Sequence, residues 1–272
     1  MPTTSRAVSP TPSAEPVRRA ACVTHGKPDT IGDALARLKG VAERAGVELT
    51  DDEPEIVVVL GGDGTMLRAM QAHLESGTPV IGVNFGRVGF LTSMRPDELE
   101  SGLERVFRGD YVVYDLPTLD AEVGGATVTA VNDVVATSAT LGRMVELDWK
   151  IGGEVMGTVP CDGVICSTPS GSTAYNLSNG GPVLMWGIDA LAITFVAPHS
   201  LAARPVVVPR NRPVEVTNAT PDVPLAVLAD GHRFADAPSG TSVHVHVGPR
   251  SSRLATLPEV TFVRRYLETF AT

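Results

Sequence analysis

Residues 56–70 read IVVVLGGDGTMLRAM, and no other stretch constrains the fold of this chain as tightly. Five consecutive apolar residues, Ile56 to Leu60, suffice for a strand covered on both faces, as in a parallel sheet. Past the glycines, Met66, Leu67, Met70 and Leu74 fall on one helical face. A strand therefore runs through Gly61-Gly62-Asp63-Gly64-Thr65 into a helix starting near Thr65, with one carboxylate in the turn. Glycines let the backbone approach a bulky anion, and a helix N-terminus offers it unpaired N–H groups. An acid repels phosphate, so Asp63 suits such a turn if it handles a proton or a metal ion beside the phosphate. The plainer alternative is a glycine-rich turn with an N-capping aspartate. Two commoner phosphate loops are excluded: GxxxxGK[ST] is absent, and the third glycine position of GxGxxG is Leu67.

The flanking pattern extends this unit. Ala20–Thr24 reads as a strand, Ile31, Leu35, Leu38, Val41 and Ala42 as a helix face ending at Gly46, and Val80–Phe85 as another strand. Pro96 opens a helix carrying Leu99, Leu103, Val106 and Phe107, closed by Gly109. Alternating strands and helices predict an α/β domain with a mostly parallel sheet. After Tyr114 the texture becomes a series of short runs: Leu119–Val123, Thr127–Val131, Val145–Ile151, Gly163–Ser167, Ala190–Val196, Val206–Val208, Val214–Thr217, Ala226–Leu228 and Val243–Val247. Turn residues separate most of them, which predicts a β-rich C-terminal domain, an antiparallel sandwich or barrel. The expected division is a disordered Pro/Ser/Thr/Ala-rich tail at 1–18, an α/β nucleotide-binding domain at 19–114 and a β-rich substrate-binding domain at 115–254. Segment 255–272, with a helix at Phe262–Phe270, is a candidate to return to the first domain.

The net charge of −9 argues against a nucleic-acid binder, and an anionic ligand must find local cations; Arg68, Arg87, Arg143, Lys150 and Arg204 are candidates. No apolar run has the length of a membrane span and no signal-peptide pattern opens the chain, so a cytoplasmic protein is expected. Cys22, Cys161 and Cys166 suit a reducing compartment, and the latter two read as packed strand thiols rather than a metal pair. His244 and His246, at strand spacing, read as a solvated face.

In the second half, Cys161-Asp162-Gly163 precedes a strand that ends in STPSGSTAYNLSNGGP, residues 167–182. So dense a cluster of hydroxyls, glycines and amides is poor core material and suits ribose and phosphate oxygens, with Tyr175 packing a ring. Asn132-Asp133 interrupts an apolar stretch as a strand-end turn or a site element. Residues 82–90, GVNFGRVGF, form another strand-to-glycine loop, suited to a phosphate or an adenine ring, and Asp230-Gly231-His232 reads as a turn in preference to a ligand contact.

Together, GGDGT after an apolar strand, GVNFGRVGFL, the pair ND, and CDG followed by STPSGSTAYNLSNGGPV closely resemble the NAD kinase family over about residues 20 to 265. GGDGT alone is shared with lipid kinases; the GSTAY…GGP block is far more specific. The resemblance implies transfer of the terminal phosphoryl group of ATP, or of polyphosphate, to the 2′-hydroxyl on the adenosine ribose of NAD, giving NADP. It implies Asp63 as proton acceptor, with Gly64 and Arg68 beside it, and Asn132, Asp133, Asp162, Ser170, Thr173, Ala174, Tyr175, Ser178 and Ala197 as nucleotide-binding positions. No protein metal site is implied; Mg2+, or another divalent ion, comes on the triphosphate. The family's habit is a homodimer or homotetramer. Pro160, Ser170, Met185-Trp186-Gly187 and His232 depart from the common family pattern. The competing functions are a soluble lipid kinase and a sensor that binds NAD without turnover.

Overall fold

The structure is a computed structural model that describes residues 9–13, 15–25, 28–200 and 203–270. In chain order its elements are β1 (Thr11–Pro12), β2 (Arg19–Thr24), α1 (Pro28–Ala45), β3 (Glu48–Leu49), β4 (Ile56–Gly61), α2 (Asp63–Ala72), β5 (Val80–Asn84), α3 (Leu99–Phe107) and β6 (Val112–Val123). There follow β7 (Ala126–Ala130), β8 (Asp133–Ser138), β9 (Val145–Ile151), β10 (Glu154–Cys161), β11 (Gly163–Ser167), α4 (Tyr175–Ser178), β12 (Ala190–Val196) and β13 (Val206–Pro209). The chain ends with β14 (Val214–Asn218), β15 (Leu225–Ala229), β16 (His232–Ala237), β17 (Ser242–Thr256) and α5 (Phe262–Phe270). No helix among the described residues is long and apolar enough to cross a membrane.

Two units result: Pro117–Arg250, and the described residues of Val8–Leu116 with Ser251–Thr272. The expected junctions were 114/115 and 254/255. In the structure the chain changes unit inside β6 and β17, where an unbroken strand carries no linker composition to mark the passage.

In the α/β unit the parallel order is β3-β2-β4-β5, and Leu254 near the end of β17 adds beside Val80. Every residue of β4 is buried, as its apolar run required. Leu38 and Val41 of α1 and Leu99, Leu103 and Val106 of α3 share a core with Ile56, Val58, Leu60 and Ile81. The helix after the glycine turn begins at Asp63 rather than Thr65 and ends before Leu74. Its buried face is Thr65, Met66, Ala69 and Met70, so Leu67 and Leu74 drop out of the expected stripe.

The Pro117–Arg250 unit has the predicted β-rich, antiparallel character. Its ladders run β10-β9-β14-β17 and β13-β12-β11-β8-β15-β16, and β6 and β7 form a hairpin. Alternation puts Val145, Leu147 and Trp149 of β9 into one core with Val164, Ile193, Leu225 and Val245. Trp149 meets Phe195 edge-on at 5.3 Å between ring centroids. Three strands lacked a sequence signal. β10 contains Pro160 and a bulge between Val155 and Gly157, both tolerated because it is an edge strand. β16, also at an edge, buries only Ala237, and β8 opens on a buried acid.

The expected disordered tail is corrected for residues 9–13 and 15–18; residues 1–8 and 14 lie outside the described residues. β1 pairs with Val112 and Val113, the Ser13 amide donates to Tyr111 O (2.9 Å), and the Val17 amide to Phe107 O (3.0 Å). Val17 is 5% exposed in the core. A proline-rich segment cannot nucleate a helix but docks well when extended, and composition does not register one anchoring side chain. Val17→Ala should therefore lower the unfolding free energy by about 1–3 kcal/mol, the cost of trimming a buried side chain. A urea midpoint equal to that of the unmutated chain would restore the disordered tail.

Candidate active site

The glycine turn between β4 and α2 is fixed by close backbone approach. A Cβ on Gly62 would lie 3.2 Å from Gly86 Cα, and one on Gly61 2.6 Å from Thr65 Oγ1. A Cβ on Gly64 would meet nothing within 4 Å. Packing thus leaves no room for a side chain at Gly61 unless Thr65 shifts, and little at Gly62 unless the Gly86 backbone gives, whereas Gly64 leaves open space over the start of the helix. The Thr65 and Met66 amides turn back to Gly62 O (2.9 and 3.0 Å), so the amides of Asp63 and Gly64 are the first-turn donors without an intrahelical acceptor.

Asp63 is not an N-cap. Gly62 holds that position, and no side chain caps the helix. The carboxylate instead reaches the loop after β5: Oδ2 accepts from the amides of Gly89 (3.1 Å) and Phe90 (3.0 Å), and Oδ1 from Leu91 (2.9 Å). A carboxylate has about four acceptor positions, so one remains, on Oδ1. Gly89 takes φ +76, and a Cβ there would lie 2.2 Å from Asn84 Nδ2. The residues 82–90, read as a phosphate or adenine loop, are thereby the scaffold that aims Asp63. Arg68, one turn along α2, is exposed and pairs with no carboxylate among the described residues. Of the other candidate cations, Arg87, Arg143 and Arg204 are exposed, and Lys150 is engaged by Glu215 at 2.9 Å.

The remaining predicted positions belong to the Pro117–Arg250 unit, where a second carboxylate plays a matching part. Asp230 accepts from the amides of Val131 (2.8 Å), Asn132 (2.7 Å) and Asp133 (3.1 Å). It sits at φ +47, followed by Gly231 at φ +81, so a left-handed turn delivers it. The sequence offered this only as a turn; an acid ahead of glycine between two strand-like runs was the available signal. Asp133, the first residue of β8, is buried beside it. Burial, and secondarily the Asp230 charge, pushes its carboxyl up to about 7. Beneath it, burial first and the Asp133 charge second push the Cys166 thiol up to about 12.

The hydroxyl-rich segment 167–182 proves to be core material in large part, against the sequence expectation. Ser167, Thr168, Ser170, Ser172 and Asn176 are buried because each spends its polar atoms on the loop itself or on the neighbouring Val131, Asn132 and Thr194. Thr168 Oγ1 donates to Val131 O (2.7 Å), Ser170 Oγ to Asn132 Oδ1 (3.1 Å), and Ser172 Oγ to Pro169 O (2.8 Å). Asn176 Nδ2 donates to Ser172 O and Pro182 O (both 3.0 Å), and its Oδ1 accepts from Thr194 Oγ1 (2.7 Å). Gly171 is required, since a Cβ would lie 2.1 Å from Asn132 O. What reaches the surface is half-buried Thr173 with exposed Ala174, Tyr175 and Ser178.

Asn132, Asp133 and Ser170 are therefore brought together at one end of β11, where Ser167 is paired with Asp133. Asp162 and Ala197 lie at the other end. They flank the Gly163–Val196 rung, and the Asp162 amide donates to Val196 O (2.9 Å). Both are exposed, and Ala197 holds φ +43, a conformation rare for alanine. Five strand residues separate the two groups, roughly 15 Å at the usual rise.

Comparison with known proteins agrees over nearly the whole chain. The sequence models of the ATP-NAD kinase N-terminal and C-terminal domains match residues 14–111 and 131–257. The NAD kinase of Heliobacterium modesticaldum is 37% identical over 86% of this chain and 85% of its own length, and that of Gemmatimonas aurantiaca 39% over 81% and 78%. An NAD kinase from Archaeoglobus fulgidus, solved in complex with ATP, superposes with a TM-score of 0.76 at 26% identity, covering 93% of this chain and 97% of that one. Yeast NADH kinase complexed with NADH gives 0.81 at 22% identity, covering 97% and 92%, a likeness of fold.

The position of Asp133 carries a pH signature. Its folded value, about 7, lies above the ordinary aspartate value, so between roughly pH 4 and 7 the folded state holds a proton that the unfolded chain has lost. Its stabilising contribution is complete below about pH 4 and is lost as pH rises through about 7. Asn mimics the protonated acid, so Asp133→Asn should gain on the unmutated protein by a few kcal/mol between pH 5 and 8. Urea unfolding of both proteins at the two pH values measures this, and an equal difference at each would show that Asp133 does not titrate there.

Proposed function

The chain belongs to the NAD kinase family, the phosphotransferases that act on NAD, and we propose that it moves the terminal phosphoryl group of ATP, or of polyphosphate, to the 2′-hydroxyl on the adenosine ribose of NAD, with Asp63 as general base. The observation that carries this is the geometry of the Asp63 carboxylate. Three backbone amides hold it in one orientation, and one acceptor position on Oδ1 stays available, beside a Gly64 that leaves open space. A base must reach the proton it takes, and a fixed carboxylate facing unobstructed backbone suits a ribose hydroxyl.

In the reaction the 2′ oxygen bonds to the terminal phosphorus as the bond from that phosphorus to the bridging oxygen breaks. The hydroxyl proton passes to Asp63, and ADP, or the shortened polyphosphate, leaves with the bond's electron pair. The first-turn amides of α2 and the Arg68 guanidinium offset negative charge on the donor. Mg2+, or another divalent ion, enters as part of the triphosphate substrate. Asn132 and Asp133 recognise polar groups of the dinucleotide, with buried Ser170 orienting the Asn132 amide through its hydroxyl, and Thr173, Ala174, Tyr175 and Ser178 supply an exposed rim with an aromatic ring for stacking. A carboxyl at Asp133 that keeps its proton near neutrality can donate as well as accept. Asp162 and Ala197 contact NAD from the far end of β11. The enzyme works in the cytoplasm as a homodimer or homotetramer, and its three free thiols suit a reducing compartment.

A coupled assay for NADP, with ATP and then polyphosphate as donor, tests the reaction and separates it from NAD binding without turnover. Asp63→Asn keeps the side chain's size but removes its proton affinity, so turnover should fall about 10²–10⁴-fold with little change in NAD affinity. A variant retaining more than about a tenth of the activity would remove Asp63 from the role of base. Asp162→Ala should raise KM for NAD well above any change in KM for ATP, and equal effects on the two would take Asp162 out of the acceptor site.

A further inference from the structure

The loop that clamps Asp63 is itself held from behind by the last helix. The Phe262 ring of α5 meets Phe90 edge-on at 5.5 Å between centroids, and Phe270 reaches the same ring at 6.0 Å. Between these aromatics Arg265 turns inward, its side chain 15% exposed. Its Nη2 donates to the carbonyl of Thr92, the residue next to the three amides that Asp63 accepts. Thr92 Oγ1 donates to Gly89 O (3.1 Å), and the Leu257 amide donates to Ser93 Oγ (2.8 Å). Residues 89–93 are thus gripped by Asp63 on one side and by the C-terminal segment on the other.

A charge in this position needs a reason. Met or Leu would cover Phe90 without desolvating a guanidinium, and buried ion pairs are weak sources of net stability. Burial is the strongest influence on Arg265 and pulls its guanidinium below the ordinary arginine value. The charged groups that face it are Glu268, Arg264, Asp63 and Glu98, the carboxylates opposing the effect of burial. Its Nε is buried with no hydrogen-bond partner. Beyond packing, the guanidinium supplies an ion pair to Glu268 (3.3 Å), a bond to the Thr92 carbonyl and positive charge within reach of Asp63; the Glu268 pair lies within α5, so only the last two act on the loop.

We propose that Arg265 is a positioning residue for the Asp63 carboxylate, acting through the Thr92 carbonyl and the Gly89, Phe90 and Leu91 amides. The proposal rests on Asp63 being the base for its kinetic consequence alone; the mechanical link stands independently.

The test uses the full-length protein with Arg265→Met, which keeps side-chain length, and Arg265→Lys, which keeps a charged donor. Arg265→Gln replaces the methionine variant if that one does not fold. Amide hydrogen exchange at Gly89, Phe90 and Leu91 should speed up about tenfold or more in Arg265→Met, with Ile56–Leu60 unchanged, and return to within about threefold of the unmutated rate in Arg265→Lys. In NAD phosphorylation, kcat should fall about 10–100-fold with both KM values within about threefold, since misplacing a reacting group by a fraction of an ångström acts on the chemical step. In an Asp63→Asn background the same substitution should change kcat less than about threefold, because the group it positions is gone. Unaltered exchange at 89–91, or an equal kcat loss in both backgrounds, overturns the proposal. Faster exchange in Arg265→Met, in a protein whose kcat is indifferent to Asp63→Asn, would support the positioning link and refute Asp63 as base.

Discussion

Each unit of this protein depends on a carboxylate that accepts consecutive backbone N–H groups. Asp63 takes the amides of Gly89, Phe90 and Leu91, and Asp230 those of Val131, Asn132 and Asp133. A buried amide left without an acceptor costs about 1–3 kcal/mol, so neither acid can move without freeing several donors at once. The clamp sets the path of a loop with one side chain, and it fixes the acid as firmly as the loop. In each unit a glycine with positive φ, Gly89 or Gly231, shapes the backbone beside the clamp.

The clamp around Asp230 also sorts the two neighbouring acids electrostatically. Asp230 has three amides to stabilise its charge, whereas Asp133, buried at the head of β8, has its carboxyl raised by desolvation and by that same charge. Two ionised carboxyls so near one another in a dry setting are unfavourable, which, added to burial, raises the Asp133 carboxyl. Around Asp63 the arrangement differs: an arginine from α5 with a largely covered side chain brings a positive charge to the loop, and among the described residues no second acid is buried there.

The glycines of the strand-to-helix turn divide by what surrounds them. At Gly61 a side chain would strike Thr65, and at Gly62 it would crowd the Gly86 backbone, so the fold itself resists one at both. At Gly64 the protein makes no such demand. The two kinds of glycine look alike as letters and differ only in three dimensions.

Short-range patterns alone determined much of this protein. The apolar run Ile56–Leu60 was bound to be a fully covered strand, and the alternation of strands and helices up to Phe107 to be α/β, because periodicity reports which faces are buried. The motifs GGDGT, ND, CDG and GSTAY hold most of the site candidates, with Arg68, Ser170, Ser178 and Ala197 outside them. Tertiary structure decided what each of them touches. Nothing local predicts that Asp63 passes over its own helix to the amides of a loop some 26 residues on, that Asp230 anchors a pair about 98 residues before it, or that Arg265 reaches back to Thr92. Nor could composition show that Ser172 and Asn176 are buried, since a polar side chain enters a core when the fold brings backbone partners to it. Sequence sets the propensities of neighbours; hydrogen bonds between distant segments exist only once the chain has closed on itself.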